Sequence, residues 1–481
     1  MEWCSLWLLV SLTAGCLVYL MVKKHRDDVK GVPKGSLGWP VIGETLEFIS
    51  SGYSSRPVRF MEKRKSLYGK VFKTNILGKA IIMSTDPEVN RQILQNHGNI
   101  FVAAYPKSTM ELFGENSIFQ LDGALQRKIH GVIGRYLRSS QFKSRIIREV
   151  ESSVKRNLSS WESMDLVFVQ NETKKVTFEI LLKTLMSFDR EEELSVWRNE
   201  FSEYVKAIIC LPLKFPGSTL YKSLKAKERL LKKVTKIVAE RRTAMEASEA
   251  FDSSSLNVDV VDALLLEKES DGSASVPVEF ISGNIVEMII PGEETVPTSM
   301  TIAVKLLSDN PSVLQRLREE NMGMKTRKIA SCNDYTWTDY MSLTYTQNVI
   351  SETLRMANII NGVWRKTLED VEIEGYFFPK GWGVMAAFIS VHMNDEIYKN
   401  PYDFDPSRWE RVGTVNNSCF TPFGGGQRLC PGMDLSRLEI AIFLHHLVTS
   451  YRWTAEEDRI VYFPTVKMAK KMPIRVEPVR A

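Results

Sequence analysis

Six cysteines are too few and too scattered for a disulfide framework in a chain of 481 residues. Cys4, Cys16, Cys210, Cys332, Cys419 and Cys430 include no CxxC spacing. Paired zinc-finger and iron–sulfur runs are therefore excluded, and a reducing compartment is favoured. Glycine (27) and proline (19) are not in excess, so no low-complexity segment is expected. Charge of one sign is also lacking. The 63 basic and 58 acidic residues leave +5, too little to argue for nucleic acid. With 44% hydrophobic and 25% charged residues, a disordered, collagenous or multi-pass membrane chain is excluded. The usual roughly 100–200 residues per domain would allow three domains, but one large domain of this length is also admissible.

One long apolar run is present. Trp3 to Val22 carries no charged residue over 20 positions, about what a helix needs to cross a bilayer. Lys23, Lys24, His25 and Arg26 stop it, and only Glu2 precedes it. A cleaved signal peptide prefers positive charge ahead of a shorter run, so the pattern reads as an uncleaved anchor. The positive-inside rule then puts everything after Lys23 in the cytoplasm, where sequons at Asn157, Asn171 and Asn416 stay unglycosylated. The division expected is an anchor over residues 1–24, a basic and Pro/Gly-rich linker over 25–45, and a catalytic domain over 46–481. Gly31 to Gly43, with Pro33 and Pro40, reads equally as a stiff elbow or an irregular loop.

Beyond the linker, Val71–Leu77 and Ala80–Ser84 predict a hairpin around Gly78. Asp86-Pro87 predicts a capped helix start. From about Ala124 to Glu246 the patterns are long and helical, broken at Leu211–Pro216. The Ser-rich stretches Phe251–Asn257 and Glu267–Ser275 read as mobile loops. Glu279–Asp309 predicts a long apolar helix, interrupted at Pro291-Gly292 and at Pro297. Helices are also predicted over Tyr345–Met356 and Asp434–Ser450, with short strands at Val371–Ile373 and Val384–Ala387. The fold class is mainly α, with small peripheral sheets.

The strongest local signal is Phe423-Gly-Gly-Gly-Gln-Arg-Leu-Cys-Pro-Gly432. Its glycines let a flat, bulky object approach the backbone. Arg428 offers a cation for an anionic group. Cys430 lies just before a helix, whose dipole favours thiolate. A thiolate and an arginine in a glycine loop suit a haem iron and its propionates. A phosphate loop fits poorly, because no Lys-Ser/Thr follows the glycines.

The pattern Phe423-x-x-Gly426-x-Arg428-x-Cys430-x-Gly432 resembles the haem-ligand signature of the cytochrome P-450 monooxygenases, and the resemblance extends over essentially the whole chain. Glu352-Thr-Leu-Arg355 resembles the family's ExxR pair, and Phe404-Asp-Pro-Ser-Arg-Trp409 its PxRW-like element. The resemblance implies that Glu352, Arg355 and Arg408 form a buried structural cluster. Pro291-Gly-Glu-Glu-Thr295 resembles the acid–alcohol stretch of the helix over the haem, with proline where Ala or Gly is usual. There Gly292 would open a notch, Glu294 supply a proton and Thr295 a hydroxyl. Cys430 would be the iron ligand, and Phe423 and Arg428 would contact the cofactor. For the propionates, Leu125-Gln-Arg-Lys-Ile-His130 is the matching stretch, in altered form. Either Arg127 or His130 is a candidate, and Arg365 fits a further family position.

Trp337–Leu343, Thr346–Arg355 and Pro291–Pro297 further resemble plant steroid hydroxylases of the brassinosteroid pathway, nearest to those acting on the side chain at C-23 or C-22. The resemblance implies haem b, molecular oxygen and electrons from NADPH through a separate NADPH–cytochrome P-450 reductase. It implies no nucleic-acid partner. The expected site is the endoplasmic reticulum membrane, single-pass, with the catalytic domain cytosolic and lipid beside the pocket entrance. An apolar steroid would be bound by Phe101–Phe119, Leu211–Pro216, the helix before Thr295, Asn358–Val363 and Phe463–Val466. Alternatives are another sterol or triterpenoid substrate, a haem-thiolate isomerase or dehydratase needing no reductase, and a non-enzymatic haem- or sterol-binding protein.

Overall fold

The computed structural model describes residue 15 and residues 31–96, 98–247, 259–267, 276–411 and 418–479. The expected anchor, apart from Gly15, the loop Phe251–Asn257, most of Glu267–Ser275 and the sequon at Asn416 lie outside them. Among the described residues no helix is long and apolar enough to cross a membrane. Asn157 is engaged internally: its Oδ1 accepts from Trp161 Nε1 at 3.0 Å and its Nδ2 donates to Glu172 at 3.1 Å.

Helices dominate. The longest, Val278–Asp309, runs through the centre and is buried along most of its length. It packs on Val169–Met186, Thr219–Ala247, Thr344–Ala357 and Met433–Ser450. The expected interruptions are absent, and Pro291 and Pro297 sit inside one continuous helix. Each proline withdraws the N–H due to the carbonyl four residues earlier, at Glu287 and Glu293, while hydroxyls bond the prolines' own carbonyls. Thr295 Oγ1 donates to Pro291 O at 2.5 Å, and Thr301 Oγ1 to Pro297 O at 2.6 Å. Thr173 Oγ1, from the neighbouring helix, also donates to Pro297 O at 3.2 Å. Packing from several sides holds the helix where propensity alone would end it.

The predicted hairpin forms, pairing Val71–Ile76 with Lys79–Ser84. It enters a five-stranded sheet in the order Val71–Ile76, Lys79–Ser84, Gly383–Ala386, Val363–Thr367, Phe101–Ala103. Strands from distant parts of the chain thus meet in one sheet at the edge of the helical body. The Asp86 carboxylate caps the next helix, accepting from Glu88 N and Val89 N. Part of the expected linker belongs to this layer: Gly35 bridges to Lys73, and Glu44 N donates to Asn75 O at 2.8 Å. The segment therefore docks on the hairpin.

Glu352 stands at the centre of a buried charge cluster. Glu352 accepts from Arg355 (2.9 and 2.8 Å), Arg408 Nε (3.2 Å), Trp409 Nε1 (3.0 Å) and Asp405 N (3.3 Å). The i,i+3 spacing in the helix puts Glu352 and Arg355 side by side. Arg355 Nη1 also donates to His392 O at 2.8 Å. His392 Nε2 accepts from Thr421 N at 3.0 Å, so Nδ1 carries the proton given to Asn358 Oδ1. Burial, with Arg355 nearby, holds this imidazole neutral, its pKa lowered to about 3. The cluster thereby fixes the chain just before the glycine loop.

Candidate active site

The loop from Phe423 to Gly432 folds back on itself. Cys430 N donates to Phe423 O at 3.1 Å, which sets the cysteine against the start of the loop. Gly426 has φ +62, and a Cβ there would lie 2.2 Å from Leu94 O. Only glycine lets the loop lie this close to the Pro87–Gln95 helix. Met433–Ser450 begins three residues after Cys430.

Cys430 is half-buried, and burial pushes its thiol up while the Gly432 N–H pulls it down. A thiol in this setting ionises when a metal cation supplies the opposing charge.

Arg428 does not stand out as a loose cation. Its guanidinium donates to Ile118 O and Phe119 O, both at 3.1 Å, to Leu121 O, and to Asp122 at 2.9 Å. It ties the glycine loop to the segment preceding the Gly123–Arg138 helix. His130, on that helix, makes a 2.8 Å hydrogen bond with Leu429 O, next to Cys430. Arg127, one turn earlier, is exposed.

Arg365 is the unusual cation. It is 3% exposed, its Nε is without a partner, and its Nη1 donates to its neighbour Trp364 O at 3.0 Å, with Tyr105 also in hydrogen-bond reach of the guanidinium. Burial lowers its pKa, and the nearby Arg428 charge adds to that effect. A buried guanidinium with an unused donor beside a second guanidinium is a site for an anion. This observation and the Cys430 loop fit a haem, with its iron on sulfur and a propionate at Arg365.

Thr295 lies on the central helix with its hydroxyl turned to Pro291 O. Glu294 accepts from Lys174 Nζ at 2.6 Å. The notch expected at Gly292 is taken up: its bare α-carbon faces Leu181, whose Cδ2 would lie 2.4 Å from a Cβ. The glycine thus serves close packing of two helices. Residues missed from the sequence include Lys174, Asp122 and Glu293. Glu293 is 3% exposed, its Oε2 has no partner, and burial pushes its carboxyl up to about 7. The adjacent Glu293-Glu294 pair was the available signal; the buried partner of each was not.

The segment expected over the pocket is anchored from above. Ile118 N donates to Asn284 Oδ1 at 2.6 Å, and Ser117 Oγ donates to Glu287. Lys227 Nζ reaches Glu287 at 3.1 Å and Phe113 O at 2.6 Å. Phe113 and Phe119 pack at 5.0 Å beneath it.

The cytochrome P450 family pattern matches residues 33–473. The chain is 63% identical over 447 residues to 3-epi-6-deoxocathasterone 23-monooxygenase CYP90C1 of Arabidopsis thaliana, covering 92% of this chain and 84% of that one. It is 46% identical to a second enzyme of that description, CYP90D1 of the same plant, covering 92% and 89%. Among solved structures, retinoic acid bound cyanobacterial CYP120A1 superposes with a TM-score of 0.80 at 24% identity, covering 93% of this chain and 99% of that one, a likeness of fold. With the cysteine loop, the buried Glu352 cluster and a family match across nearly its whole length, this chain belongs to the cytochrome P450 family and is a monooxygenase that works with haem.

Proposed function

We propose that the chain hydroxylates the side chain of a brassinosteroid precursor, at C-23. The observation that carries the substrate class is the 63% identity, over nearly the whole chain, to an enzyme described as a 3-epi-6-deoxocathasterone 23-monooxygenase. Cys430 would hold the haem iron, with Arg365 and His130 on its propionate side and Phe423 against the loop. Bound there, the haem would supply the activation of molecular oxygen.

The chain's own residues do the rest. Glu294 and Thr295 move protons toward the reacting oxygen. Lys174 holds Glu294 in place by a charge-assisted bond at 2.6 Å. Ser117, Asn284, Glu287 and Lys227 fix the segment above the pocket, which keeps bulk water from the reacting carbon. Electrons come from an NADPH-dependent reductase. Arg127, Arg135 and Arg138 are exposed on the helix that His130 ties to the cysteine loop, a basic face suited to an acidic partner.

Residues 3–22 would anchor the chain in the endoplasmic reticulum membrane, with the catalytic domain on the cytosolic side. Trp39 and Val41, just after that segment, are 77% and 79% exposed, and Leu211 is 75% exposed. Such side chains favour contact with lipid, from which an apolar steroid would enter.

The test is turnover of 3-epi-6-deoxocathasterone by the full chain with reductase, NADPH and oxygen. The expected result is one product bearing a 23-hydroxyl, identified by mass spectrometry and nuclear magnetic resonance. No product from any C27–C29 sterol, with a normal thiolate-type carbon-monoxide spectrum, would overturn the substrate assignment. In Cys430→Ala that spectrum should vanish.

A further inference from the structure

A polar cavity of about 520 Å³ lies on the side of the central helix that faces Val169–Met186 and Glu191–Val205. Its rim includes the exposed Ser195, Ser202, Lys467 and Lys471. Glu293 lines it from the central helix, almost completely buried, with Oε2 lacking any partner. A buried carboxyl oxygen without a partner is costly unless it carries a proton or meets water. Oε2 is itself closed off from solvent, which favours the protonated form, while the cavity that Glu293 lines opens to solvent at its rim.

Lys174 joins this acid to the next. Its ammonium lies 3.8 Å from Glu293 Oε1 and 2.6 Å from Glu294 Oε1. A helix turns about 100° per residue, so Glu293, Glu294 and Thr295 step round it, with Thr295 roughly 200° from Glu293. The three side chains lead from the cavity to the opposite face.

We propose that this cavity is the proton inlet of the enzyme and that Glu293 is its entry acid. The inference rests on the reading of Glu294 and Thr295 as the relay. Hydroxylation of one C–H bond by one O2 consumes two electrons, from the reductase, and two protons, and releases one water. Each proton passes from cavity water to Glu293, then to the Glu294 carboxylate and on by way of Thr295. Glu293 is reprotonated from the cavity. The groups facing Glu293 are Lys174 and Arg198 from the two flanking helices and Glu294 beside it, with Lys467 and Lys471 at the rim. Burial raises its pKa to about 7, against the pull of the two nearer cations. It is thus able to load and release a proton near neutrality. Glu293 acts through Glu294, as a positioning and supply residue.

The experiment compares wild type, Glu293→Gln and a plugged variant, Ser195→Trp/Ser202→Trp, as haem-loaded full chains. Infrared titration of the resting wild type should reveal a carboxylic acid band that disappears on titration through about pH 7 and shifts at once in deuterium oxide. The band should be missing in Glu293→Gln, and its exchange slowed in the plugged variant. Product per NADPH should fall in both. In Glu293→Gln the hydroxylation rate should drop about 10-fold, less than the roughly 10²–10⁴-fold worth of a direct acid–base group. The alkaline limb of its pH profile should also move. If Thr295→Ala leaves coupling intact, the relay reading itself fails. If Thr295→Ala uncouples turnover while Glu293→Gln and the plugged variant keep wild-type coupling and pH profile, the inlet is refuted.

Discussion

Replacing Glu352 with Gln removes one negative charge from between two guanidiniums. The carboxylate receives five donated hydrogen bonds, from Arg355 (two), Arg408, Trp409 and Asp405. Glu352 and Arg355 are fully buried and the Arg408 side chain is 9% exposed, so water cannot take the lost partner's place. The Gln amide N–H₂ would face a guanidinium, donor against donor. Breaking a buried pair from one side typically costs about 3–5 kcal/mol, because a charge is left uncompensated. With an unfolding entropy of about 2.1 cal/mol/K per residue, a domain of this size moves roughly 1 °C per kcal/mol, so the melting temperature should fall by about 3–5 °C. Arg408→Gln should cost less, since Glu352 keeps Arg355. The double variant should lose less than the sum of the singles, because one unpaired cation is gone. Urea unfolding followed by tryptophan fluorescence gives the three free energies. Haem content should fall in parallel, since Arg355 holds His392 O and His392 holds Thr421 N before the cysteine loop. A Glu352→Gln loss below about 1 kcal/mol, or strict additivity, would refute the view that this cluster carries the loop.

Gly426→Ala should nearly abolish haem incorporation, because the new Cβ meets Leu94 O at 2.2 Å; haem absorbance per protein checks it. Thr295→Ala should bind haem and steroid normally but lose product per NADPH, with the reduced oxygen released as peroxide, while Thr295→Ser restores coupling. Arg365→Leu should raise the rate of haem loss to a haem-scavenging protein, with Arg365→Lys intermediate, because the buried cation with its unused Nε is gone. Glu293→Gln carries a stability prediction with a definite sign. The folded carboxyl lies near 7 against an ordinary 4.5, so the wild type weakens relative to the variant as pH rises from about 4.5 to 7, then runs parallel. The full difference is about 3.5 kcal/mol at about 1.4 kcal/mol per pKa unit, of which about 2.5 kcal/mol is read by denaturation at pH 5 and pH 8.

The local pattern of the chain determined much by itself. The glycines around Cys430, the spacing of Glu352 and Arg355, and the Asp86-Pro87 start all act over a few residues, and each takes in the structure the form its chemistry dictates. The long helix was also legible from its apolar run, but its continuity was not. Pro291 and Pro297 break helices in isolation, and packing against neighbouring helices keeps Val278–Asp309 whole. The same holds for every long-range partner. Gly292 read as a notch until Leu181 filled it. Arg428 read as a cation for an anion, yet the carbonyls of Ile118, Phe119 and Leu121 claim it, while Arg365 keeps the unused donor. The apolar flanks of Glu293-Glu294 argue against a solvated face, but they do not show where Glu293 points. Its burial, its orphaned oxygen and the cavity it lines arise from helices more than 90 residues away in sequence. Burial decides whether a charge is solvated surface or a working acid, and burial is a property of the packed chain.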